Sequence, residues 1–160
     1  MIEKIKNVLD RIILISASFL LIILVLGALW QVFSRYVLSN PSTFTNELLG
    51  FLLVWTSMLG ASYAFGTNQH LALTFIKNKL KGKNEFVITI INDLFIVVFT
   101  VLVLIIGGFE AVNITMGQNT PILGISTGLI YSILPISGFL IIFYKLLDIK
   151  NYRIPKKVGD

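Results

Sequence analysis

The sequence predicts an all-α membrane protein of four transmembrane helices, and three observations carry that prediction. Hydrophobic residues make up 56% of the 160 residues and charged residues 13%, with a mean hydropathy of +0.87, a composition outside the range of soluble domains. Apolar runs near residues 12–36, 48–66, 86–109 and 123–147 are each long enough to cross a hydrocarbon core about 30 Å thick as a helix of about 20 residues. They lack the alternation of lipid-facing and lumen-facing positions that a membrane β-strand shows.

The third observation is where the 13 Lys and Arg residues fall. Lys4, Lys6 and Arg11 precede or open the first run, and Lys77, Lys79, Lys81 and Lys83 lie between the second and third. Lys145, Lys150, Arg153, Lys156 and Lys157 close or follow the fourth, leaving Arg35 alone for the opposite side. Positive charge is retained on the cytoplasmic side of short loops, so this asymmetry predicts an even number of spans with both termini cytoplasmic. The net charge of +5 is thereby directed to membrane lipid phosphate, not nucleic acid. Residues 1–160 read as one four-helix membrane domain.

The first helix is expected to begin between Val8 and Arg11 and to end at an interfacial group of Trp30, Arg35 and Tyr36. The apolar run after the basic N-terminus continues to about Trp30 without a small-residue cleavage site, which predicts a retained helix and not a cleaved leader. Pro41 then breaks the chain, since it lacks a backbone donor and biases Asn40 away from helical angles. Glu47 is expected in the first turn of the second helix. Two readings stand for it: a carboxylate at the positive end of the helix dipole, or a specific role, pairing with Arg35 on the same side or meeting polar groups of another subunit.

Gly50, Ser57, Ala61 and Ala64 recur along one stripe of the second helix, and Gly60 with Ala64 forms a small-xxx-small pair. Small residues let membrane helices approach closely where association depends on packing. The stripe serves either the bundle itself or a partner. Gly124, Gly128 and Ser132 recur every four residues and predict a second such stripe on the fourth helix, which Pro135 should kink.

Between the second and third spans, Leu73, Ile76 and Leu80 alternate with Lys77 and Lys81 at helical spacing. That pattern fits either a short interfacial helix over 71–81 or a solvated loop. Asn92 and Asp93 lie about 10 Å in from Phe86 at 1.5 Å per residue, shallow enough for water or the lysine-rich loop to serve them. The loop Ala111–Ile125 is polar and carries no positive charge.

Several classes of chemistry are excluded. The chain has one histidine, His70, and no cysteine, so bis-histidine haem, thiolate metal sites and cysteine nucleophiles are ruled out. Phosphate-cradling glycine loops and nucleophile elbows are missing. An enzyme is not expected, and neither catalytic nor metal residues are assigned. Two readings remain: a subunit that packs against other membrane protein, or an autonomous small carrier or channel. Internal repeats and a midplane ionisable site, which secondary carriers show, are not visible.

At Arg35, Tyr36, Glu47, Trp55, Leu59, Gly60, Ala61 and His70, and again at Thr120, Pro121, Tyr131 and Pro135, the chain resembles the small membrane subunit of tripartite ATP-independent periplasmic (TRAP) transporters. One departure is Asn46 before Glu47, where that family often has two adjacent acids. The resemblance implies a complex in the bacterial inner membrane in which a large multispan permease carries sodium and an organic acid of the sialic acid or C4-dicarboxylate type. A periplasmic binding protein would supply the substrate. The small subunit would brace the static part of an elevator-type carrier without a cofactor, with sodium held in the large subunit. Arg35, Glu47 and His70 are then polar interface candidates.

Overall fold

The computed structural model describes residues 2–67 and 83–151. Helix α1 covers Ile2–Tyr36 and α2 covers Thr43–Gly66. The third span is composite: α3 (Lys83–Phe99) passes into a π-helical segment (Thr100–Gly107) and then α4 (Gly108–Thr115). The fourth is divided into α5 (Thr127–Tyr131) and α6 (Ile133–Asn151). Four helical stretches, Lys4–Tyr36, Thr43–Gly66, Ile90–Thr115 and Thr127–Leu147, are long and apolar enough to cross a membrane. This is the four-span all-α architecture the sequence predicts. His70 and the amphipathic stretch 71–81 lie outside the described residues.

The spans alternate in direction, so the bundle has a terminal end, holding the start of α1 and the finish of α6, and a loop end, holding the 37–42 and 116–126 connections. The first span is 33 residues long, about 50 Å at 1.5 Å per residue. That exceeds a hydrocarbon core of about 30 Å, so α1 must tilt or project. It lies along α2, where Gly27 leaves room for the Leu49 side chain, which would stand 2.9 Å from a Cβ. Phe19, Leu26 and Leu29 on its other faces are exposed.

Helix α2 starts five residues before its apolar run because its first turn is polar and capped. Ser42 is extended (φ −76°, ψ 104°) and its side chain accepts the Thr45 N–H at 3.4 Å. The Thr45 hydroxyl returns a bond to the Ser42 carbonyl at 2.9 Å. Such a cap serves donors that the helix cannot satisfy internally. Glu47 therefore stands in the second turn, beyond the position where the helix dipole favours a carboxylate most.

Helix α6 is the centre of the bundle, touching α1, α2, α3, the π segment, α4 and α5, and its Ile133, Ser137, Ile141 and Tyr144 are almost fully buried. Ile141 joins Ile96 and Leu104 in the core, against Phe65 and Leu134. Span four is interrupted at Ser132, which puts Pro135 in the first turn of α6, where a missing N–H costs least. Spans three and four interlock there. A Cβ on Gly108 would lie 2.9 Å from Pro135 Cδ, and one on Gly138 would lie 2.8 Å from Ile105 Cγ1 in the π segment.

Candidate assembly surface

At the loop end, α2 serves backbone groups that span four cannot satisfy itself. Glu47 Oε2 accepts the N–H of Ile122 at 3.2 Å and of Leu123 at 2.8 Å. Eight residues further along α2, Trp55 Nε1 donates to the Ile130 carbonyl at 3.1 Å, just before the Ser132 interruption. Non-helical backbone at membrane depth needs protein partners, because hydrocarbon offers none. Glu47 is thus tied to the 116–126 loop and not to Arg35, which is exposed at the end of α1. Asn46, which stands where a second acid would be, accepts a bond from Gln31 Nε2 at 2.9 Å and joins α1 to α2. A single carboxylate oxygen performs both bonds to the loop, so a paired acid is not required for them.

The loop itself is a closed turn. Asn119 and Ser126 form an antiparallel bridge, Thr120 N–H donates to the Ile125 carbonyl at 2.9 Å, and Thr127 N–H donates to the Gln118 carbonyl at 2.8 Å. Gly124 sits at φ +64°, a conformation that glycine adopts without a Cβ penalty.

At the terminal end, polar side chains pair with one another. Tyr144 donates to Asp10 Oδ1 at 2.5 Å, joining α6 to α1. Lys145 Nζ lies 2.7 Å from Asp93 Oδ1, joining α6 to α3. Asp93 is therefore served by a residue of the fourth span, where the sequence pointed to water or the lysine-rich loop; the partners lie 52 residues apart in the chain, and local patterning carries no sign of the pairing. Among the described residues, Thr56 Oγ1 and Asn92 Nδ2 are buried without a hydrogen-bond partner.

The predicted stripe on α2 divides between two environments. Gly50, Ser57 and Gly60 are exposed, and a Cβ on Gly50 or Gly60 would meet nothing within 4 Å. Ser57 turns its hydroxyl back onto the Leu53 and Val54 carbonyls at 2.7 and 3.0 Å. Ala61 and Ala64 are half-buried. The close approach inside the bundle is made instead by Ser62 and Gly66, both buried, with the Tyr144 ring 2.6 Å from where a Gly66 Cβ would stand. The spacing Ser62-xxx-Gly66 was present in the sequence as a small-xxx-small pair, but the glycines next to it dominated the pattern.

On span four, Gly124 belongs to the loop, Gly128 packs on Met116 and the Val112 carbonyl, and Ser132 marks the interruption, donating to the Leu129 carbonyl at 2.6 Å. They do not form one helical face, because α5 begins only at Thr127. Apolar grooves of about 360 and 610 Å³ line the surface near α1 and α6, and among the described residues Lys4 is their one titratable lining residue. Among the described residues no group of three His, Asp or Glu side chains converges as a metal site would require.

Four helices long and apolar enough to cross a membrane define the class as a multispan membrane protein, and sequence comparison gives its family. Residues 24–151 match the family model of tripartite ATP-independent periplasmic transporters, DctQ component. A Haemophilus influenzae protein named as a TRAP transporter small permease is 30% identical over 107 residues, 67% of this chain and 66% of the relative, so the match spans just under two thirds of that relative's length. The sialic acid TRAP transporter small permease protein SiaQ of Vibrio cholerae is 26% identical over 151 residues, 94% of this chain and 85% of the relative. The chain belongs to the DctQ family of TRAP transporter small permease subunits. The family is a component of transporters and not of enzymes, in agreement with the absence of catalytic motifs in the sequence.

Proposed function

We propose that this subunit braces a sodium-coupled transporter for an organic acid without carrying the substrate itself. Its partners are a large multispan permease, which holds the sodium, and a periplasmic binding protein. The carrying observation is the exposed strip of α2. Gly50, Ser57 and Gly60 face open space around a single exposed leucine, Leu53, whereas the exposed faces of the other spans are dominated by bulky residues such as Phe19, Phe95 and Phe139. Small residues favour a closely packed helix and bulky ones suit lipid. The polar side chains around the interior support the same reading, since Trp55, Asp10, Tyr144, Asp93 and Lys145 are engaged in ties between helices and Glu47 in a tie from α2 to the 116–126 loop. The distribution of Lys and Arg supports a bacterial inner-membrane orientation with both termini cytoplasmic. The substrate class rests on the sialic acid relative, with a C4-dicarboxylate as the other member of the class.

Reconstitution tests this reading. The chain with its permease and binding protein should import a sialic acid or C4-dicarboxylate along a sodium gradient, and the chain alone should give no flux. Flux of substrate or ion from the chain alone would make it an autonomous carrier and overturn the proposal.

A further inference from the structure

The two ties from α2 to span four end on one internally bonded piece of chain. Beyond the bridge and turn described above, Gly124 N–H donates to the Thr120 carbonyl at 3.1 Å, Ile125 N–H to Thr120 Oγ1 at 3.1 Å, and the Ser126 hydroxyl to the Met116 carbonyl at 2.7 Å. Helix α5 follows directly and has only five residues, too few to be stable by itself. It is held by the seat of Gly128 against Met116 and Val112 and by Trp55. Residues 118–130 therefore form a unit whose parts are fixed to each other, bonded to Glu47 at Ile122 and Leu123 and to Trp55 at Ile130.

From this geometry we infer that Glu47 and Trp55 act as a single two-point latch, by which α2 holds the 118–130 unit in one cooperative arrangement. The sites are eight residues apart on α2, about 12 Å along the axis, and share no direct contact that would couple them. Coupling passes through the unit they both hold. Releasing either end lets the unit tilt away from α2, which lengthens the bond at the other end. The latch makes the loop end of spans three and four a conformational dependant of α2, while the Asp93–Lys145 pair holds the terminal end separately.

The test uses the full chain in lipid nanodiscs and reads each end while the other is altered. Trp55→Phe keeps an aromatic ring and removes the indole donor. Hydrogen exchange at the Ile122 and Leu123 amides should then accelerate on the order of tenfold, the scale of one lost hydrogen bond. In the reverse direction, Glu47→Ala should accelerate exchange of the Trp55 indole N–H, read by NMR in a Trp30→Phe background that leaves one indole. Glu47→Gln, which keeps an acceptor, should give an intermediate rate. Amides of α3 serve as the control that the bundle is folded, and if Glu47→Ala fails that control the Gln variant decides. Coupling must be reciprocal if it is thermodynamic. Acceleration in both directions supports the latch; an unchanged rate at the far end in either direction means two independent ties and overturns it.

Discussion

The two ends of the bundle use polar side chains in opposite ways. At the loop end, Gln31 and Asn46 pair side chain to side chain between α1 and α2, but the α2 side chains that reach span four and the loop before it serve backbone: Glu47 takes two N–H groups and Trp55 gives to a carbonyl. At the terminal end, side chains serve side chains: Tyr144 with Asp10, and Lys145 with Asp93. The difference follows from the chain path. Where span four is a turn, a short helix and an interruption, its backbone groups need outside partners. Where α1, α3 and α6 are regular, the backbone satisfies itself and charged residues are available to join helices.

Glycines offer the sharpest way to break this picture. A Cβ on Gly128 would lie 2.8 Å from Met116 Cα and 2.9 Å from the Val112 carbonyl oxygen. Both are backbone atoms that cannot swing aside. Gly128→Leu should cost about 3 kcal/mol, the upper part of the overpacking range, read as an earlier midpoint in detergent-denaturation of the isolated chain. A wild-type midpoint would mean that α5 does not seat on α4 as described.

At the terminal end, Asp93→Ala would leave the Lys145 ammonium, whose side chain is 9% accessible, without its partner. The expected loss is about 3 kcal/mol. Lys145→Met should cost less, because the Asp93 side chain is 41% accessible and water can hydrate it. The double variant Asp93→Leu with Lys145→Met should recover most of the loss, since burying a charge pair is itself costly. Equal losses in both single variants would show that burial does not govern the pair. The smallest effect belongs to Tyr144→Phe, which removes one hydrogen bond to Asp10 and leaves the ring on Gly66; about 1 kcal/mol is expected in the same assay. A much larger loss would mean that the α1–α6 joint depends on this one bond.

The spans were legible in the sequence because hydropathy and charge asymmetry are summed over many residues. Boundaries were less so: α2 starts at Thr43 in a polar capped turn that an apolar run cannot register. The π segment, Thr100–Gly107, was invisible because hydropathy is insensitive to how many residues make a turn. Among the site residues, Glu47 and Trp55 stood out as a polar group and a matching motif position, but their partners in the 122–130 region lie about 75 residues away in the chain. Only the fold brings them together. Gly60 was legible as a small residue at helical spacing, yet which way it faces depends on how α2 turns against α6, and spacing alone could not distinguish it from Gly66.

On the proposed function, the strip of α2 bearing Gly50, Ser57 and Gly60 is the face that meets the permease. Gly60→Leu tests it most directly, because a side chain there meets nothing within 4 Å in the subunit itself. The variant should fold with wild-type stability alone while recovery of the permease by co-purification falls at least about tenfold, the effect of roughly 1.4 kcal/mol at a close-packed contact. Undiminished recovery of an intact complex would show that the strip faces lipid and contradict the account.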